Sequence, residues 1–235
     1  MKISPHTVHA VGWLTVASAL AGTALALAIL LWPEQVPDTR WSFPFDEPTY
    51  VAFQISFFLH NLTLLPGLTL VAAWAWPSAS RATRFGLGLT VASMTVGAVI
   101  ELAAVSASSS SVTSTTANAF GAAYGVMSVG FGVGFIMAGL AFRRQPLIPG
   151  PIGRWTYLSI GAWTFFPMLP SLFMPMVWGR ITIGIWFLLF AGIGLIILRV
   201  RRSGLGIWGR PSTEWHRGRK TRRLNDATAE SVRDA

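Results

Sequence analysis

FGLGLTVASMTVGAVIELAAVS, residues 85–106, decides the fold class. It is a continuous apolar run with one charged residue, Glu101. About 20 such residues, rising ~1.5 Å each, cross the hydrocarbon core of a bilayer as an α-helix. A spanning β-strand would instead alternate polar and apolar positions over about 10 residues. Inside lipid only a helix or a closed barrel satisfies the backbone N–H and C=O groups. The run is therefore read as a transmembrane helix.

Similar runs lie on both sides of it. Working outward, spans are expected at Tyr50–Trp76 and Asn118–Phe142, then at Val8–Trp32 and Ile181–Leu198. A further span begins near Trp155 and is interrupted by Pro167, Pro170 and Pro175, each of which removes a backbone donor. The first run exceeds the apolar core of a signal peptide and no cleavage site follows it cleanly, so it is read as retained. The expected fold is an all-α bundle of six transmembrane helices over residues 1–202, with a basic tail over 203–235.

Composition agrees. Only 11% of the 235 residues are charged, against about 25% in a soluble domain, and mean hydropathy is +0.54. Cysteine is absent, which removes disulfides, thiolate metal sites and thiol catalysis. The charges sort by loop. Sixteen of the eighteen Lys and Arg residues fall at the N-terminus, in the 2–3 and 4–5 loops, or beyond Leu198. Arg40 and Arg180 fall on the other side. Positive residues are retained in the cytoplasm, so both termini are expected there. The excess of Arg over Lys, with much Ala and Gly, suggests a bacterial cytoplasmic membrane.

Ionisable groups at membrane depth are expensive and are the default functional candidates. Glu101 is the one carboxylate within a span, in the outer half of the third. His60 and Asn61 lie near the middle of the second, with Gln54 nearer the outside. Antiparallel neighbours would bring Gln54 and Glu101 to similar depth, with His60 as a partner for Glu101. The bland reading makes each of these an interhelical hydrogen-bonding group. Gly121, Gly125, Ser128 and Gly132 share one face of the fourth span and form a candidate packing stripe.

Several functions are excluded or unsupported. No span holds a Lys for a retinal Schiff base, and His60 alone cannot supply the two histidines of a haem b site. No metal set, no phosphate-binding loop and no pairing of nucleophile and base is legible, so neither cofactor nor enzymatic activity is expected. The tail, with Arg210, Arg217, Arg219, Lys220, Arg222 and Arg223 among Trp208 and Trp215, suits anionic lipid headgroups rather than nucleic acid. Two roles remain. The first is a non-enzymatic accessory subunit that packs on a membrane partner or a second copy of itself. The alternative is a small permease or ligand-binding carrier with a polar site near Glu101 and His60.

Overall fold

The computed structural model describes residues 4–142, 150–171 and 174–202. The tail expected over 203–235, and Arg143 and Arg144 of the 4–5 loop, lie outside the described residues. Among the described residues the fold is all-helical, with no strand beyond an isolated antiparallel bridge between Arg40 and Ser111.

The helices start where side chains can satisfy orphan backbone N–H groups. Helix α1 spans Pro5–Ala28, and Ser4 Oγ accepts from the Thr7 N–H at 3.1 Å. Helix α2 spans Glu47–Ala75, with Asp46 Oδ1 accepting from the Thr49 N–H at 3.0 Å. Helix α3 spans Arg81–Ala104 behind Ser80, and α4 spans Thr115–Ala141 behind Ser114. Pro5 stands in the first turn of α1, where its missing donor costs nothing. Pro66 sits inside α2, which continues through it.

Five helical stretches are long and apolar enough to cross a membrane: Pro5–Leu31, Glu47–Ser78, Arg81–Ala107, Thr115–Ala141 and Met176–Val200. The last belongs to α6, Met176–Arg202. Between α4 and α6, helix α5 spans Gly150–Trp163. It runs on through a π-helical turn, Thr164–Met168, into a last turn, Leu169–Ser171. Pro167 lies within the wide turn. The sequence placed a break at the prolines; the chain keeps its helical course by widening, a common response to a missing donor. Hydrogen bonds tie this stretch to α6. Trp186 Nε1 donates to Thr164 Oγ1 at 2.9 Å, and Thr182 Oγ1 donates to Ser171 Oγ at 2.8 Å.

Helices α1 and α6 run antiparallel along their lengths. Gly12 meets Leu198 near one end, and Thr23 Oγ1 donates to the Gly184 carbonyl at 3.0 Å further along. The first and last described turns therefore lie at the same end of the bundle, here called the terminal end. Towards that end, glycines allow backbones to touch. A Cβ on Gly134 would stand 2.9 Å from the Gly86 carbonyl oxygen of α3. One on Gly194 would stand 2.7 Å from the Gly12 carbonyl of α1. The closest α3–α4 approach uses Gly134 and Gly86, neither of which belongs to the expected stripe. Gly132 receives the Phe165 ring and Ser128 is buried, whereas Gly121 and Gly125 face open space.

The opposite, capped end is closed by loops. Residues 33–46 pair with the Ser-rich loop before α4. The Trp41 N–H donates to the Ser110 carbonyl and the Val112 N–H to the Thr39 carbonyl, both at 2.9 Å. Phe45 stacks on Phe53 with centroids 4.2 Å apart, and Trp32 meets both edge-on. The cap is thus a packed aromatic unit.

Two outcomes follow. Gly134→Val should destabilise the bundle by roughly 1–3 kcal/mol, the usual range for forced overpacking, while Gly121→Val leaves thermal unfolding in detergent unchanged. Hydrogen bonds from the Thr49 side chain and backbone hold the Asp46 carboxyl below its ordinary value of 3.8. A depressed value in the folded state stabilises above the unfolded one and is lost as pH falls through the folded one. Melting temperatures measured against pH should therefore decline below about pH 3.8, less steeply in Asp46→Asn, whose amide still caps the helix.

Candidate functional site

Beneath the cap, the helices separate around a cavity of about 390 Å³. Each long helix from α2 to α4, together with α6, contributes to its wall, as do the cap and the last turns of the α5 stretch. Chemistry is graded along it. The deeper wall is mostly apolar, with Phe57 of α2, Met94 of α3, Met127 and Phe131 of α4, and Trp186 and Phe187 of α6, and it also holds the polar Asn61 and Ser128. Polar and charged groups gather nearer the cap: Tyr50, Gln54, Glu101, Tyr124 and Arg180, with Asp38 and Arg40 in the cap itself.

The polar end is an ordered network. The Tyr50 hydroxyl accepts from Gln54 Nε2 at 2.6 Å and from Trp41 Nε1 at 2.8 Å. It donates to the Ala104 carbonyl at 3.2 Å, joining α2, α3 and the cap. Tyr50 follows the Asp46 cap by one turn, so the capping bond that starts α2 also fixes this ring. Across the cavity, the Tyr124 hydroxyl donates to Glu101 Oε2 at 2.9 Å. Arg180, in the second turn of α6, has Glu101, Tyr124 and Tyr50 as electrostatic neighbours. No ion pair or hydrogen bond joins its guanidinium to another described residue.

The residues singled out in the sequence part into two groups. Gln54, Asn61, Glu101 and Ser128 line this one cavity. His60 does not. Its ring lies against Gly22 of α1, so closely that no Cβ fits there, and meets Phe187 edge-on at 4.3 Å. Both ring nitrogens are buried without a partner among the described residues. On that side a second hollow of about 430 Å³ lies between α1 and α2, with Ser18 Oγ donating to Thr63 Oγ1 at 2.7 Å. The neighbours of Glu101 are thus Tyr124 and Arg180, in place of the expected His60.

Tyr124 and Arg180 were not picked out from the sequence, although a signal for each exists. Arg40 and Arg180 are the two basic residues that stand against the charge bias, and both line the cavity. Two of the three tyrosines in the chain lie in the polar network. No group of three or more His, Asp or Glu side chains suited to a metal occurs among the described residues. An acid, a guanidinium and two phenols can orient a polar ligand.

No protein family, curated protein or solved structure matches the chain.

Removing the Tyr50 hydroxyl strands two donors, Gln54 Nε2 and Trp41 Nε1, and one unpaired buried donor costs about 1–3 kcal/mol. Tyr50→Phe should therefore lower the thermal midpoint clearly, whereas Ser56→Ala, which removes an exposed hydroxyl bonded within its own helix, should not. Differential scanning fluorimetry of the two variants in the same detergent makes the comparison.

Proposed function

We propose that this chain is a ligand-binding membrane protein that holds a small amphipathic molecule in the cavity beneath its cap. The observation that carries the reading is the graded wall: one end mostly apolar, the other holding Glu101 and Arg180 beside the hydrogen-bonded Tyr50, Gln54 and Tyr124. Ligand sites are mostly apolar hollows of about 300–1,000 Å³ with a few convergent polar groups, and this cavity has that size and composition. Five methionines in the wall (Met94, Met127, Met168, Met174 and Met176) add flexible surface that adapts to a ligand's shape. The role is binding or carriage rather than catalysis. An accessory subunit would need only packing faces. Gly121 and Gly125, which face open space, offer one, but a lipid-facing helix side needs no partner to explain it.

The topology in this proposal has six crossings, with both termini in the cytoplasm. The sixth is the stretch 150–171, about 33 Å long at ~1.5 Å per residue. The antiparallel course of α1 and α6 supports an even number of crossings, and the charge bias supports the orientation. The cap and the cavity mouth then face outward, the bacterial cytoplasmic membrane being the setting that the composition favours. The basic tail then lies at the inner surface among anionic headgroups.

Because the chain lacks cysteine, single thiols report both claims. In intact cells a membrane-impermeant maleimide should label Ser109→Cys in the cap and spare Ala82→Cys at the start of α3. The reverse pattern would invert the topology. In the purified protein a small water-soluble thiosulfonate should modify Ser128→Cys in the cavity and leave the lipid-facing Gly121→Cys unmodified. Equal inertness at both positions would remove the binding reading.

A further inference from the structure

We infer that the cavity selects a zwitterion, a molecule carrying an anionic and a cationic group close together on an apolar body. The inference rests on the binding reading above and names its ligand class. Glu101 and Arg180 are electrostatic neighbours that do not close into an ion pair. Glu101 is held from one side by the Tyr124 hydroxyl, at Oε2. Arg180 has no hydrogen-bond partner among the described residues, and both side chains line the cavity. An unpaired guanidinium at membrane depth is costly, and its planar fork of donors suits a carboxylate or phosphate.

The neighbouring charges decide the class. An anion on Arg180 alone would sit within reach of the Glu101 carboxylate and be repelled. A cation on Glu101 alone would meet Arg180. A zwitterion satisfies both at once, anion on Arg180 and cation on Glu101. Asp38 and Arg40 in the cap repeat the balance of one acid and one base. The apolar body then points away from the cap, against Phe131 and Trp186. Amphipathic amino acids and lipids with a zwitterionic headgroup share this chemistry.

The test uses the purified full-length protein and decyl probes that differ only in the head. They are α-aminodecanoic acid (zwitterion), decanoic acid (anion) and decylamine (cation), each titrated at neutral pH by isothermal calorimetry. The zwitterion should bind at least about tenfold more tightly than either ion. Glu101→Gln should shift preference towards decanoate, and Arg180→Gln towards decylamine. These are ratios within one variant, so a general loss of stability does not mimic them. Decylphosphocholine in place of the amino acid separates the two sources. Tighter binding of the phosphocholine assigns a lipid headgroup, and weaker binding an amino-acid head. Equal affinity for all heads, with mutual displacement, would overturn the zwitterion and leave the cavity reading standing. Binding of none, in a protein that still unfolds cooperatively, would remove both.

Discussion

The structure depends on close backbone approach at one end of the bundle and its absence at the other. In lipid no hydrophobic effect draws helices together, so association relies on packing, and glycine permits the tightest packing. At Gly86, Gly134 and Gly194 a side chain would crowd the backbone of the facing helix, and at Gly12 it would collide with the Leu198 side chain. These contacts fix α3 on α4 and α1 on α6 towards the terminal end. Towards the cap the inward-facing glycines Gly97 and Gly184 meet side chains, Met127 and Leu27, and not a facing backbone at such close range. Phe57, Phe131, Trp186 and Phe187 stand there instead. Large rings hold helices apart, and the space between them becomes the cavity.

A cavity held open by bulky side chains needs a lid of ordered structure, and the paired loops provide it. The Tyr50 hydroxyl is the joint: it receives the cap's Trp41 and Gln54 of its own helix, and it reaches the end of α3 through Ala104. The bond that positions the lid also lies in the polar cluster. Occupancy of that cluster and the seating of the lid therefore share one set of hydrogen bonds.

Five of the expected spans were legible because their apolar runs are longer than any soluble helix needs. Depth was legible too. Counting residues inward from opposite ends of adjacent spans put Gln54 and Glu101 at one level, and both line the same cavity. Rotation about each helix axis was not legible. A single sequence gives the level of His60 along its helix but not its facing, and the facing is set by Gly22 of α1 and Phe187 of α6. Arg180 was missed for a related reason. A charge beside a proline-rich turn reads as loop, whereas the helix begins at Met176 and carries it inward. The pairing of the two cap loops rests on backbone hydrogen bonds, which leave no pattern in residue types.

The account's central claim is that the cavity beneath the cap holds a molecule. Native mass spectrometry of the full-length protein, released from lipid discs made directly from the host membrane, tests it against Ser128→Trp, whose indole fills the cavity. The account predicts a single adduct of defined mass on the unmodified chain and its loss from a folded Ser128→Trp. The same distribution of adducts on both proteins would contradict it.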